Sequence, residues 1–108
     1  MTVAGTNVTL YINGSAAQAA GGVNLTRDNA APLLLGACGG ADAGFLGYLD
    51  ELRVWATARS AAQIAQDAQQ ELPNPQDQSG LLAYYPCNEG SGTTVADVSG
   101  YEIGRAHV

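Results

Sequence analysis

The dipeptide Asn13-Gly14, set inside "NVTLYINGSAAQAA", constrains the fold of this chain more than any other feature. A two-residue hairpin turn of type I′ needs positive φ at both central residues, and Asn-Gly meets that need at low steric cost. On the arm before it, Val8, Leu10 and Ile12 alternate with Asn7, Thr9 and Tyr11. One face is then apolar, the pattern of a half-buried sheet. The chain opens with antiparallel strands.

The rest of the sequence continues in that manner. "PLLLGACGG" is a short apolar run that breaks on glycines and reads as a buried strand over about 32 to 37, with "GGADAG" as the following turn. Phe45 to Trp55 reads as the longest strand, and Ala56 to Arg59 as a corner. Ser60 then opens a helix at about 60–71, because Gln63 three residues later completes a capping box in which each side chain satisfies the other residue's free N–H. Ala61, Ile64, Ala65, Ala68 and Leu72 mark one helical face, and Ile64 is expected to face the sheet. Pro73 and Pro75 stop the helix, so "PNPQDQSG" reads as a linker. "LLAYYPC" is a further strand and "NEGSGTT" a turn. No helix of crossover length separates the strands, so the fold class is all-β. An antiparallel jelly-roll or β-sandwich, here partial, is favoured over a βαβ arrangement.

Composition removes several functions. At 108 residues there is room for about one domain with a modest core. A net charge of −6 with four Lys plus Arg argues against nucleic acid and anionic membrane as partners, both of which need clustered basic residues. No apolar run approaches the ~20 residues of a membrane span. "MTVAGTNVTLYING" lacks the basic and apolar regions of a signal peptide. Cys38 and Cys87 are too few for a disulfide scaffold and too far apart for a zinc knuckle; pairing and simple burial both stay open.

The order "TLYINGS", "LLLGA", "GYLDELRVWATARSAAQI" resembles the C-terminal half of a laminin-G-like jelly-roll domain of the concanavalin A-like lectin and glucanase superfamily, over roughly residues 5 to 70. The family pattern reads like "LYVNG", "IG", "G-x-I-D-E-V-R-I-Y" and "R-x-L-S-x-x-E-I"; here Trp55 stands at the aromatic position, Ala58 precedes Arg59, and Gln63 replaces the usual Glu. "GLLAYYPCNEGSGTTVADVSG" resembles the opposite end of such a domain, usually "G-L-V-A-Y-W-P-F-D-E-G-S-G". The resemblance implies a slice through a tandem array: 1–72 the end of one module, 73–79 a linker, 80–101 the opening strand and loop of the next. Met1 is then expected to be an internal methionine. The last seven residues, "EIGRAHV", match the translation of GAG ATC GGA AGA GCA CAC GTC, which contains a common short-read sequencing adapter whose next codon is a stop. Residues 102–108 are accordingly read as an artefactual tail, and His107 carries no functional argument.

Asp50 raises the main chemical question. On a regular strand it shares a face with Leu52 and Val54, and a carboxylate there is costly unless paired or metal-bound. A bulge that turns it outward, or a charge that guards a strand edge, are the alternatives. In the family, the Asp of similar strands helps hold a structural calcium, so the resemblance implies Asp50, Glu89 and, more loosely, Asp97 as calcium ligands, with the backbone near Gly90. Asn88 stands where the family's usual Asp precedes this Glu.

A catalytic role is not expected. Glycoside hydrolysis needs two carboxylates across the scissile bond. The "E-x-D-x-x-E" strand of the glucanases is absent, and neighbouring Asp50 and Glu51 would point to opposite faces of a strand. Tyr48, Trp55, Tyr84 and Tyr85 are candidates for stacking on sugars, weighed against ordinary packing. Asn7, Asn13 and Asn24 begin glycosylation sequons, which matter only in a eukaryotic secretory protein. The expected function is a non-catalytic carbohydrate- or protein-binding and adhesion module of a larger secreted or cell-surface protein, with a glycan or extracellular protein as partner. An accessory domain of a secreted glycosidase or peptidase and a structural spacer in a repeat array are the competing readings. The last expectation is geometric. With the module's front half missing, 81 to 87 folds back and pairs with the strand at 47 to 55, because a linker of about eight residues spans ~25 Å.

Overall fold

A computed structural model of the chain describes residues 1–24, 33–36, 44–101 and 106–107. Asn13 and Gly14 both hold positive φ, 52° and 79°, and join β2 (Asn7–Ile12) to β3 (Ser15–Ala20) as the sequence requires. Ile12 lies opposite Ser15, and a bulge between Leu10 and Tyr11 shifts the register. β1 (Thr2–Ala4) pairs with the other edge of β2, so the first sheet has the order β1-β2-β3, all antiparallel. Leu10 and Ile12, on the apolar face, remain exposed.

The second sheet carries the core. β4 (Leu52–Trp55) pairs antiparallel with β5 (Leu81–Tyr85), with Leu52 opposite Tyr85, Arg53 opposite Tyr84 and Val54 opposite Ala83. The fold-back of 81–85 onto the preceding strand is therefore present. Leu81, Ala83 and Tyr84 of β5 and Leu72 are the buried hydrophobic residues of the described chain. Trp55 and Val98 pack partly buried against Leu72, Leu81 and Tyr84. The other edge of β5 is closed by the loop at 97–99. Asp97 Oδ1 accepts from Tyr84 N, Val98 N donates to Tyr84 O, and Ser99 Oγ donates to Leu82 O. A third small ladder pairs β6 (Thr94–Val95) with β7 (Ala106–His107).

After β4 comes α1 (Ala61–Asp67), which packs near β3. Ser60 is its N-cap and the capping box is complete, with Gln63 N donating to Ser60 Oγ and Ser60 N donating to Gln63 Oε1. The helix stops earlier than the 71 expected from the apolar pattern. Ile64 is half-buried. The hairpin turn meets the helix closely: a Cβ on Gly14 would lie 2.6 Å from Ala65 Cβ, so only glycine fits there.

Two expected strands differ. The strand at 45 to 55 is confined to Leu52–Trp55, because Glu51 adopts left-handed φ of 54° and interrupts the extended run. Residues 33–36 form no strand: Leu33, Leu34 and Leu35 are exposed, and Gly36, with φ of 71°, accepts a bond from Phe45 N at 2.7 Å. Pro32 and Ala37, and most of "GGADAG", lie outside the described residues.

Candidate functional site

The most connected polar group of the described chain is built around Arg53. Its strand position sets its guanidinium 5.3 Å from the centre of the Tyr84 ring across the ladder. Nη2 pairs with Glu51 Oε2 at 2.5 Å, and Tyr84 Oη donates to the same oxygen at 2.6 Å. Tyr84 Oη in turn accepts from Leu72 N. Arg53 also donates to two carbonyls at the end of the helix, Asp67 O through Nη1 and Gln70 O through Nη2. Arg59 pairs with the Asp67 carboxylate at 2.6 Å and stacks 4.0 Å over the Trp55 ring. The last turn of α1 has no basic residue of its own, so the two arginines supply the cations that a helix C-terminus favours.

This group is structural in its chemistry. Arg53 has a side chain only 9% exposed, and its Nε is buried with no hydrogen-bond partner. Burial pushes the Tyr84 phenol above its usual pKa, and the bond to Glu51 adds to that, while the Leu72 N–H acts the other way. Glu51, Arg53 and Tyr84 were not marked by spacing in the sequence. A cation inside an apolar strand was their one visible signal.

The expected calcium ligands lie on separate segments next to this group. Asp50 is exposed, ahead of β4 rather than in it, and its Oδ1 accepts from Glu51 N at 2.9 Å. The apolar-face conflict assigned to Asp50 therefore does not arise. Glu89 Oε1 accepts from Ala96 N, and Asp97 Oδ1 from both Tyr84 N and Ser99 N. Each acid thus serves a backbone amide. Among the described residues no group of three or more His, Cys, Asp or Glu gathers at one point. Fold-back does bring segments together around Cys87: burial raises its thiol pKa first, and the charges of Asp50, Glu89 and Glu51 raise it further. Cys87 is a free thiol, and its Sγ donates to Tyr85 O; Cys38 lies outside the described residues.

The aromatic candidates separate cleanly. Tyr84 is buried, Trp55 and Tyr85 are half-buried, and Tyr48 is 100% exposed. Tyr48 lies in a loop with Phe45, Leu46 and Leu49, all of them exposed. The loop bends back towards Gly36, where an added Cβ would meet Phe45 Cβ at 3.2 Å and Leu49 Cδ1 at 3.9 Å. Among the described residues no helix is long and apolar enough to cross a membrane.

Among the described residues, small antiparallel sheets and a capped helix fit part of a β-sandwich. The chain belongs to the laminin-G-like family: the family model, described as the concanavalin A-like lectin/glucanases superfamily, matches residues 1–65. Laminin-G-like domains are typically non-catalytic and typically extracellular. No curated protein and no solved structure matches the chain.

Proposed function

We propose that this chain is part of a non-catalytic module that binds a glycan or an extracellular protein on behalf of a larger secreted or cell-surface protein. The observation that carries the reading is the loop ahead of β4, where Tyr48 is fully exposed beside Phe45, Leu46 and Leu49. Grouped exposed apolar side chains mark interaction surfaces, and a free tyrosine face suits the apolar side of a sugar ring. Family membership supports the same class of role. Screening the chain against an immobilised glycan panel, with Tyr48→Ala alongside, tests it. Retention on at least one glycan that Tyr48→Ala abolishes is expected; equal retention of both proteins contradicts the role of the loop.

The modular layout belongs to the same proposal, with 1–72 closing one module and 80–101 opening the next. The parent gene discriminates its role: a flanking catalytic domain makes the module an accessory of an enzyme, whereas repeated copies alone make it an adhesive or spacing array. A structural calcium on Asp50 is proposed for the complete module only, where the module's own opening strand supplies further oxygens. Calorimetry on that module should show calcium binding that Asp50→Ala abolishes, and no heat of binding removes calcium from the proposal.

A further inference from the structure

The strand that completes the core enters through a strained hinge. Among the described residues, three of the four buried hydrophobic ones, Leu81, Ala83 and Tyr84, lie on β5, and the fourth, Leu72, lies just before the connection. β4 and α1 therefore form a receiving half, and 81–101 an inserting half. Between them, Asn74 adopts φ 46° and ψ 60° directly before Pro75. A left-handed conformation strains a non-glycine residue, and a following proline disfavours helical conformations of the residue before it. Most bonds that hold the connection folded are local: Asp77 N to Asn74 O, Gln78 N to Pro75 O, Leu81 N to Gln78 O and Gln78 Nε2 to Pro73 O. Straightening the hinge gives these to water and releases the strain.

Every contact across the β4–β5 ladder is kept if the strand comes from another copy. Arg53 still meets Tyr84, Tyr84 Oη still reaches Glu51 and Leu72, and 97–99 travels with β5. Straight, the hinge of about eight residues spans ~25 Å. Strained hinges of this kind invite exchange of an element between identical chains. We propose that the chain forms a dimer in which two copies exchange residues 81–101, so that Leu81–Tyr85 of each pairs with Leu52–Trp55 of the other.

Two single-cysteine proteins test this in a Cys38→Ser, Cys87→Ser background, one carrying Val54→Cys and the other Ala83→Cys, positions that face each other in the ladder. Refolded together and oxidised, they should yield a covalent heterodimer, whereas neither alone should yield a covalent dimer at that ladder position. If no heterodimer forms while a chain carrying both cysteines closes an internal disulfide as a monomer, the proposal is overturned. The unmodified chain gives a second readout that needs no cysteine. Light scattering should find twice the monomer mass, and a monomer mass at every concentration up to the millimolar range overturns the exchange. Asn74→Gly relieves the hinge and should weaken the dimer about three-fold; an unchanged or tighter dimer overturns the role of strain.

Discussion

Tyr84 joins β5 to β4 and to the residue just before the connection. Its ring lies under Arg53, its hydroxyl donates to Glu51, and that hydroxyl accepts the backbone N–H of Leu72. Tyr84→Phe leaves the Leu72 N–H buried without an acceptor and should cost about 2 kcal/mol in urea denaturation. Arg53→Ala removes one partner of a mostly buried ion pair and two carbonyl contacts at the helix end, so about 3 kcal/mol is expected by the same measurement. The pH dependence has a definite sign. Tyr84, Tyr85 and Cys87 all have pKa values raised by burial, so the folded state prefers their protonated forms. Their contribution to stability is full below the unfolded values, about 8.5 for Cys and about 10 for Tyr, and is lost as pH rises through the higher folded values. Urea midpoints measured from pH 7 to pH 11 should fall over about the last two units; a flat profile contradicts the burial of these groups. None of this was visible at residue level in the sequence, because Arg53 and Tyr84 meet only through the sheet, 31 positions apart by their numbers.

At the scale of elements, legibility followed locality. The Asn13-Gly14 turn and the Ser60–Gln63 capping box are settled within four residues, and both formed as read. Ser60→Ala should cost about 1 kcal/mol, checked by thermal melting, and Ser60→Asp should recover most of it. Gly14→Ala meets positive φ and the Ala65 contact together, so a loss of about 2 kcal/mol is expected; a neutral result would show that α1 does not rest on the hairpin turn. The strand at 45 to 55 was read too long because apolar residues run through it, while a left-handed Glu51 has no compositional mark. The leucines at 33–35 form no strand. The placement of Asp50 on an apolar strand face assumes regular alternation through residue 50, and the strand begins only at Leu52.

For the whole molecule, the central claim is that 81–85 supplies the strand that 52–55 needs. The pairing is legible in the sequence because both segments are apolar strand patterns joined by a linker short enough to bring them together. Leu10 and Ile12 of the first sheet stay exposed, so that sheet adds little to the core. A net stability of only a few kcal/mol is expected, so each substitution above removes a large share of it. The most direct measurement is nuclear Overhauser spectroscopy on the isotope-labelled chain. Cross-strand effects between Arg53 and Tyr84 and between Val54 and Ala83 are predicted, together with a Tyr84 phenol that ionises above the free amino acid. Absence of those effects in a folded chain, with Tyr84 titrating as a free tyrosine, would contradict the account.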